Sequence, residues 1–243
     1  MSLINTIACG DCREILPTLP AKSFQLAFAD PPYWVGFDYG DKTDKEMAYI
    51  EPDFLVNELR RVADVVLVTP GMRHFYDYPK CDWIISWNKP ASTGQSKLGG
   101  FCVWEPVLVY GIPEKKVWQD SFTALGGREF DADFHACPKP LSLLKWLIEN
   151  FTDPNQNVID PTSGSGTTCK AAFQLGRGYF GIEIDPNIAE LSRQRLLQSQ
   201  PPLLGMAQAN TASSGRLSAV SQQASFIADG TLPSKARGAT RRR

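Results

Sequence analysis

Short apolar segments of the strand type alternate with helix-like segments along the first 200 residues. The segment 24–29 reads Phe-Gln-Leu-Ala-Phe-Ala, and a predicted helix at 52–62 separates it from the near-continuous apolar segment 64–69. Such continuous strands are typical of parallel sheets that are covered on both faces, and parallel strands need a crossover connection, usually a helix. The pattern therefore predicts an α/β fold with a doubly wound, mostly parallel sheet.

The remaining elements follow the same alternation. One predicted helix has apolar residues at 140, 143, 144, 147, 148 and 151, which lie on one helix face, and Pro140 stands at its start. Further strands are predicted at 3–8, 82–87, 104–110, 158–160 and 178–184, and further helices at about 12–16, 165–175 and 187–198. We therefore expect one domain over residues 1–200.

Composition restricts the class of protein and its compartment. The chain has 243 residues, of which 43% are hydrophobic, and it lacks both an apolar stretch of membrane-spanning length and a basic-then-apolar leader. We therefore expect a cytoplasmic protein without a membrane segment. The six cysteines are scattered, which favours free thiols over a metal site or a disulfide framework.

Residues 201–243 differ from the body in composition. They are rich in Ala, Ser, Gln and Gly, and the part from 203 onward holds six basic residues against one acid. The whole chain has 26 acids and 25 bases, a formal charge of −1. Residues 1–202 therefore hold 25 acids and 19 bases, a net charge of −6. We predict a disordered basic tail, which either only adds solubility or contributes weak contacts with phosphate.

The predicted strand 24–29 is followed directly by Asp30-Pro31-Pro32-Tyr33. The prolines fix two consecutive φ angles and remove two backbone donors, which leaves local carbonyl groups free to accept hydrogen bonds. A carboxylate, a free carbonyl and an aromatic ring at the carboxyl end of a strand suit a flat base that carries an NH2 group. The alternative is a proline-rich turn in which Asp30 is solvated.

A second polar corner joins the predicted strand 158–160 to the predicted helix 165–175. Its sequence is Asp160-Pro-Thr162-Ser-Gly164-Ser165-Gly166-Thr167-Thr168, and its glycines let the backbone approach a ligand closely. No Lys follows the second glycine, as a P-loop requires, and Cys169 occupies the third glycine position of a dinucleotide fingerprint. The next strand ends in acidic residues about 20 positions later, where a ribose diol is held in nucleotide-binding folds. These features predict a nucleoside ligand without a pyrophosphate.

Together these residues resemble the amino-group DNA methyltransferases, which transfer a methyl group from S-adenosylmethionine to adenine N6 or cytosine N4. Asp30-Pro31-Pro32-Tyr33 resembles their catalytic tetrapeptide. The segment from Asp160 to Thr168 resembles their cofactor loop, although Thr162 stands where Phe is usual. The tetrapeptide precedes the cofactor loop, which is similar to the circularly permuted, beta-type motif order. The resemblance covers residues 3–197 and implies a Rossmann-like methyltransferase fold.

The resemblance also implies further site residues. Gly10-Asp11-Cys12 is similar to a segment whose Asp contacts the cofactor's adenine, and residues 135–140 are similar to a motif that precedes the cofactor loop. Glu183 resembles the ribose ligand, and Glu105 resembles, more loosely, a late motif of the catalytic half. The residues predicted to bind the cofactor are Asp11, Cys12, Lys139, Asp160, Thr162, Gly164, Ser165, Gly166, Thr167, Thr168, Glu183 and Ile184. Lys139 has an alternative interpretation as a solvated cation at a helix start.

The activity that this resemblance implies is methylation of the exocyclic N6 of an adenine that is flipped out of double-stranded DNA, within a restriction-modification system. Adenine is favoured because the tetrapeptide begins with Asp rather than the Ser common among cytosine-directed members. The alternatives are an N4-cytosine DNA methyltransferase, a methyltransferase for RNA or protein glutamine, and a non-catalytic DNA-binding module. The resemblance implies no metal and is compatible with a homodimer.

Several other segments have a structural and a functional interpretation. Residues 111–134 lack clear periodicity and are predicted to hold a short target-recognition insert, and the loop 34–44 is long enough to move over a ligand. Trp83, Trp87, Trp104 and Trp146 are predicted to be core aromatics rather than base-stacking residues. Candidates for a DNA face, each more commonly a plain surface residue, are Arg60, Arg61, Lys89, Lys97, Lys115, Lys116 and Arg128.

Overall fold

The computed structural model describes residues 3–33, 49–90, 92, 94, 96–123 and 139–199. These residues belong to one unit that ends at Ser199. The predicted loop 34–44 and the predicted tail 201–243 lie outside the described residues, and so do positions 124–134 of the predicted insert and positions 135–138 of the motif before Lys139.

Within the described residues, eight strands form one sheet: β1 Thr6–Cys9, β2 Phe24–Ala29, β3 Ala63–Val68, β4 Trp83–Asn88, β5 Trp104–Tyr110, β6 Ser121–Thr123, β7 Asn157–Asp160 and β8 Gly178–Glu183. The helices there are α1 Cys12–Ile15, α2 Pro52–Val62, α3 Gly71–His74, α4 Leu141–Phe151, α5 Thr167–Gln174 and α6 Pro186–Gln198. The strand order is β1-β8-β7-β2-β3-β5-β4-β6. Only β5 runs antiparallel to its neighbours, β3 and β4, among these strands. The predicted α/β class and mostly parallel sheet are confirmed.

Helices pack on both faces of the sheet. On one face, α4, α5 and α6 contribute Leu147, Ala171 and Leu196 to a cluster that includes Leu26 and Phe28 of β2. On the other face, the apolar side of α2 packs against β2, β3 and β8. Each fully buried leucine stabilises the fold by about 1.5–3 kcal/mol relative to an exposed one. The apolar periodicity of α2 and α4 therefore determines where they dock.

The centre of the sheet contains a topological switch point. β2 and β7 are parallel neighbours, but the chain leaves β2 towards β3 and leaves β7 towards β8, on the opposite side. The connecting helices α2 and α5 consequently pack on opposite faces. Such a reversal opens a crevice at the carboxyl ends of the two strands, where ligands bind in open α/β sheets.

Several local predictions were wrong. Trp83 and Trp104 are exposed rather than in the core, because each stands at the uncovered start of its strand, whereas Trp87 is buried further along β4. The three-residue strand β6, for which no strand was predicted, lies in the segment 111–134 that lacks clear periodicity, and its pairing with β4 supplies order that no periodicity encodes. None of the helices in the described part of the chain is long and apolar enough to cross a membrane.

Candidate active site

Four acidic residues follow four neighbouring parallel strands at the same edge of the sheet. Asp11 follows β1, Glu183 ends β8, Asp160 ends β7 and Asp30 follows β2. The strand register places Cys9 beside Glu183, which keeps the carboxyl ends of β1 and β8 level. The two corners that the sequence singled out therefore meet at the switch-point crevice.

Asp30 is held by three side chains, of which two come from distant parts of the chain. Its Oδ1 accepts hydrogen bonds from the hydroxyl groups of Tyr33, at 2.7 Å, and Thr69, at 2.6 Å. Its Oδ2 accepts from the Lys139 ammonium group at 2.6 Å. The interpretation of this segment as a turn with a merely solvated Asp30 is therefore wrong.

Tyr33 packs against the backbone at Gly71, the first residue of α3. Gly71 has a φ of +68°, and a Cβ there would lie 2.9 Å from the ring atom Cδ2 of Tyr33. A side chain at position 71 would therefore be strained by its backbone and would also displace the ring. Desolvation by burial, followed by the charge of Asp30, raises the pKa of Tyr33 well above its usual value, so the hydroxyl keeps its proton.

Lys139 lies in the corner after β2 and is not a solvated cation. Its side chain is 8% exposed, and its Nζ also donates to the Tyr33 hydroxyl at 2.9 Å. Burial opposes its charged form, but the charges of Asp30 and Glu105 and the hydrogen bond to Asp30 raise the pKa of Lys139 well above its usual value. Lys139 was predicted to bind the cofactor, yet the contacts that hold its ammonium group are made with Asp30 and Tyr33.

A second ion pair lies beside this group on β4 and β5. Lys89, which directly follows β4, donates to Glu105 Oε1, and Trp87 is the cross-strand partner of Glu105. Two ammonium groups lie near the Trp87 ring: Nζ of Lys89 is 5.0 Å from the ring centroid, and Nζ of Lys139 is 5.7 Å from it. Within the described residues, Glu105 Oε2 and Trp87 Nε1 are buried without a hydrogen-bond partner.

The glycine-rich corner is held mainly through backbone atoms. Glu183 Oε2 accepts from the backbone N–H of Gly164, and its Oε1 accepts from that of Asp185, both at 2.9 Å. Gly164 and Gly166 have φ values of +49° and +76°, which side-chain-bearing residues rarely adopt. Gly166 occupies the N-cap of α5 in the left-handed conformation. The helix therefore begins at Thr167 rather than at the predicted residue 165.

Thr162 joins the two corners. Its backbone N–H donates to Asp160 Oδ1 at 3.0 Å, and its Oγ1 accepts from the backbone N–H of Asp30 at 3.1 Å. Burial raises the pKa of Asp160 to about 7, opposed by hydrogen bonds from Thr168 and Thr162 and assisted by the charge of Asp30. The carboxyl groups after β7 and β2 therefore share one electrostatic environment.

The remaining predicted residues lie around the glycine-rich corner. Asp11 caps α1 and pairs with Arg13, whose hydrogen bonds lower the pKa of Asp11. Cys12 is buried, and burial followed by the charge of Asp11 raises the pKa of its thiol to about 12. Ser165, Thr167 and Thr168 are buried, whereas the Ile184 side chain is exposed at the rim.

Some residues that hold these corners were missed in the sequence. Thr69 binds Asp30, and its position directly after β3, the neighbour of β2, was a usable signal. Ser192 donates to the Gly164 carbonyl at 2.6 Å, and Arg195 donates to the Ser165 carbonyl at 2.8 Å. These two residues lie on α6, and no local sequence pattern relates that helix to the glycine-rich corner.

The basic candidates for a DNA face are partly used inside the protein. Arg61 donates to the carbonyl oxygens of Leu16 and Leu19, and Lys115 donates to that of Glu149. Lys89 pairs with Glu105. Arg60, Lys97 and Lys116 are exposed, and Arg128 lies outside the described residues. In the part of the chain that the structure describes, no group of three or more His, Cys, Asp or Glu side chains could hold a metal ion.

Comparison with known proteins shows the family to which this chain belongs. A sequence profile for a family described as DNA methylase matches residues 103–194. The type II methyltransferase M2.MboI of Moraxella bovis is 38% identical over 242 residues, which cover 80% of this chain and 88% of that protein. This chain belongs to the amino-group DNA methyltransferases. The predicted family is therefore confirmed, and with it S-adenosylmethionine as the cofactor and DNA as the substrate class.

Two further similarities concern this methyltransferase. The DNA adenine methyltransferase YhdJ of Escherichia coli strain K12 is 26% identical over 243 residues, which cover 79% of this chain and 82% of that protein. Among solved structures, the cytosine-N4-specific PvuII DNA methyltransferase matches with a TM-score of 0.56 and 14% identity, covering 79% of this chain and 90% of that chain. The second similarity shows that the two chains share a fold.

Proposed function

We propose that this methyltransferase transfers the methyl group of S-adenosylmethionine to N6 of an adenine that is flipped out of double-stranded DNA. The observation that carries the proposal is the hydrogen bond from the Asp30 backbone N–H to Thr162 Oγ1. It joins the corner suited to an amino-bearing base to the corner suited to a nucleoside. A methyl donor and its acceptor must come within reacting distance, and this bond keeps their two sites adjacent.

Asp30 and the Pro31 carbonyl are assigned to the target amino group. The nitrogen lone pair of that group is delocalised into the ring, so the group must become tetrahedral before it can attack a methyl carbon. Two acceptors for its N–H bonds favour this geometry, and each fixed electrostatic contact of this kind is worth roughly 3–4 kcal/mol. The methylated nitrogen then gives one proton to the Asp30 carboxylate, which passes it to solvent.

The Tyr33 ring is assigned to stacking on the flipped base, and Pro32 completes the rigid corner. Base stacking on an aromatic side chain contributes about 1–3 kcal/mol. The ring is backed by Gly71 and is tethered through its hydroxyl to Asp30, so stacking and amino-group binding are set by one rigid unit.

The residues after β7, β8 and β1 fit the cofactor. The left-handed glycines Gly164 and Gly166 set the path of the loop after β7, and Glu183, whose carboxylate binds that loop, is assigned to accept hydrogen bonds from a ribose diol. S-adenosylmethionine, when bound, supplies a methyl group already activated by its sulfonium. The family resemblance assigns Asp160 to the cofactor as well, and it assigns Asp11 and Cys12 to the side of the cofactor's adenine, with the exposed Ile184 at the rim. Ser165, Thr167 and Thr168 hold the loop from within.

Two observations support adenine over cytosine. The tetrapeptide begins with Asp rather than Ser, and a relative that aligns over most of both chains is named a DNA adenine methyltransferase. N4-cytosine is the alternative, because a protein of the same fold is cytosine-N4-specific. A target-recognition role for residues 111–134, a disordered tail from 201 and a homodimer remain predictions.

The test is a product analysis. Unmethylated duplex DNA is incubated with the protein and S-adenosylmethionine that carries a labelled methyl group, then digested to nucleosides for mass spectrometry. We expect N6-methyladenine. Finding only N4-methylcytosine would contradict the proposed base. The same sequence as single-stranded DNA and as RNA provides the arms that test the preference for a duplex, and a mock preparation that lacks the protein controls for contaminating enzymes.

A further inference from the structure

The acceptor that Asp30 offers to a target base is occupied by another part of the protein. Oδ1 already accepts two hydroxyl groups, from Tyr33 and Thr69, and Oδ2 accepts the Lys139 ammonium group at 2.6 Å. If Asp30 binds the target amino group, as the proposed function holds, that group must compete with Lys139 for Oδ2. This inference therefore rests on the proposed function.

The Lys139 nitrogen has the contacts expected of a target amino nitrogen. It donates to Asp30 Oδ2, and it lies 5.0 Å from the centroid of the Tyr33 ring, on which the base is assigned to stack. It is also a full cation, whereas the target nitrogen becomes positive as the methyl group arrives. Two positive groups at one carboxylate repel each other, so Lys139 must leave Oδ2 before the reaction.

A buried ammonium group needs another acceptor when it leaves its first one. Glu105 provides one, because its Oε2 is buried without a hydrogen-bond partner in the described part of the chain, while Oε1 binds Lys89. The charge of Glu105 already acts on Lys139. The Trp87 ring lies within 6 Å of both ammonium groups, so it can remain in contact with Lys139 during the shift.

We propose that Lys139 is a placeholder for the target amino group and that Glu105 is the carboxylate to which it moves when the base enters. Lys139 and Glu105 are then positioning residues, which keep Asp30 paired in the free enzyme and release it to the substrate. The free enzyme thereby avoids a half-buried carboxylate without a partner, and the substrate complex avoids a buried cation without one.

The test compares two duplexes that differ only in the target amino group. Once the site is mapped, one duplex carries adenine at the target and the other carries purine, which lacks the amino group and cannot displace Lys139. Dissociation constants are measured with S-adenosylhomocysteine present, so that no turnover occurs. For Glu105→Gln we expect about fivefold or more loss of affinity for the adenine duplex and less than about twofold for the purine duplex. Equal losses for both would overturn the proposal, because structural damage does not distinguish the bases.

A double-mutant cycle gives a second readout. In the Lys139→Met background, Glu105→Gln should change the adenine affinity by less than about twofold, because no cation remains to be received. Lys89→Met is the matched control, since it removes the other partner of Glu105 and leaves Oε2 available. If Lys89→Met reproduced the effect of Glu105→Gln, Glu105 would act through Lys89 and the proposal would fail.

A crystal structure of the wild-type enzyme with adenine duplex and S-adenosylhomocysteine decides the matter without any variant. We expect Lys139 Nζ within hydrogen-bonding distance of Glu105 Oε2 and the target N6 on Asp30. Lys139 still bound to Asp30 beside a flipped base would overturn the proposal. Failure of the proposed function is separable, because it would appear as undiminished methyl transfer in Asp30→Ala.

Discussion

The two corners of the crevice are held in different ways. The corner after β2 depends on side chains, because Asp30 is bound by Tyr33, Thr69 and Lys139. The corner after β7 depends on left-handed glycines and on side chains that bind its backbone groups, namely those of Glu183, Ser192 and Arg195. The comparison indicates that a single substitution after β2 should alter chemistry, whereas one after β7 should alter cofactor binding.

The largest effect is expected at Asp30. In Asp30→Ala, methyl transfer should fall by about a hundredfold or more, because both the acceptor for the amino group and its electrostatic stabilisation are lost. Cofactor affinity should stay within a few-fold of wild type. Single-turnover methylation and calorimetric titration measure the two quantities. A variant that methylates DNA at close to the normal rate would remove Asp30 from the mechanism.

Glu183→Ala should have the opposite signature. Its carboxylate binds the backbone N–H groups of Gly164 and Asp185 and is assigned to the ribose, so cofactor affinity should fall by about tenfold or more. Methyl transfer at saturating cofactor should fall much less. Calorimetry with S-adenosylhomocysteine checks the affinity. The affinity of Glu183→Gln, which keeps one acceptor oxygen, should lie between those of the wild type and Glu183→Ala. Unchanged affinity would place the ribose elsewhere.

Gly71→Ala tests whether the Tyr33 ring position matters. The added methyl group would lie 2.9 Å from the ring, so we expect turnover to fall by about tenfold while cofactor affinity is retained. Gly99→Ala is a matched control, because Gly99 also has a positive φ, +85°, but nothing lies within 4 Å of its added methyl group. If both variants lost turnover equally, backbone strain rather than contact with Tyr33 would be responsible.

Asp160 should make stability depend on pH. Its pKa is raised to about 7 in the folded protein, so the folded state holds a proton that the unfolded chain releases near pH 4. The contribution of this group to the free energy of unfolding is therefore greatest below pH 4 and declines as pH rises towards 7, by at most about 1.4 kcal/mol per pH unit. Urea unfolding between pH 4 and 8 should show a flatter dependence in Asp160→Asn. Equal slopes would mean that Asp160 is ionised throughout.

The smallest effect is expected from the tail. Helix α6 ends at Gln198, and the residues beyond 204 have no apolar periodicity to bury, so removing 205–243 should leave the melting temperature and methylation rate unchanged. A modest loss of DNA affinity is expected only at low salt, where arginine contacts with phosphate are least screened. A clear drop in melting temperature would show that the tail stabilises the domain.

The sequence was sufficient to predict the site residues that stand at strand ends, but not the contacts between residues that are far apart in the chain. Asp30 and Glu183 follow apolar strands, so their position at the sheet edge could be read locally. The attachment of Lys139 to Asp30 could not be read in this way, because 109 positions separate the two residues and only the order of the strands brings them together. Strand β6 was missed for a similar reason, since its three residues gain order from pairing with β4.

The bond between the Asp30 amide and the Thr162 hydroxyl also provides a probe of motion. The donor is a backbone proton at the end of β2, and the acceptor belongs to the loop after β7, so this proton can exchange with solvent only when the bond between the two segments opens. Its hydrogen-exchange rate therefore reports how often the base-binding and cofactor-binding halves separate, without any label. Each ligand that holds the halves together should slow that exchange.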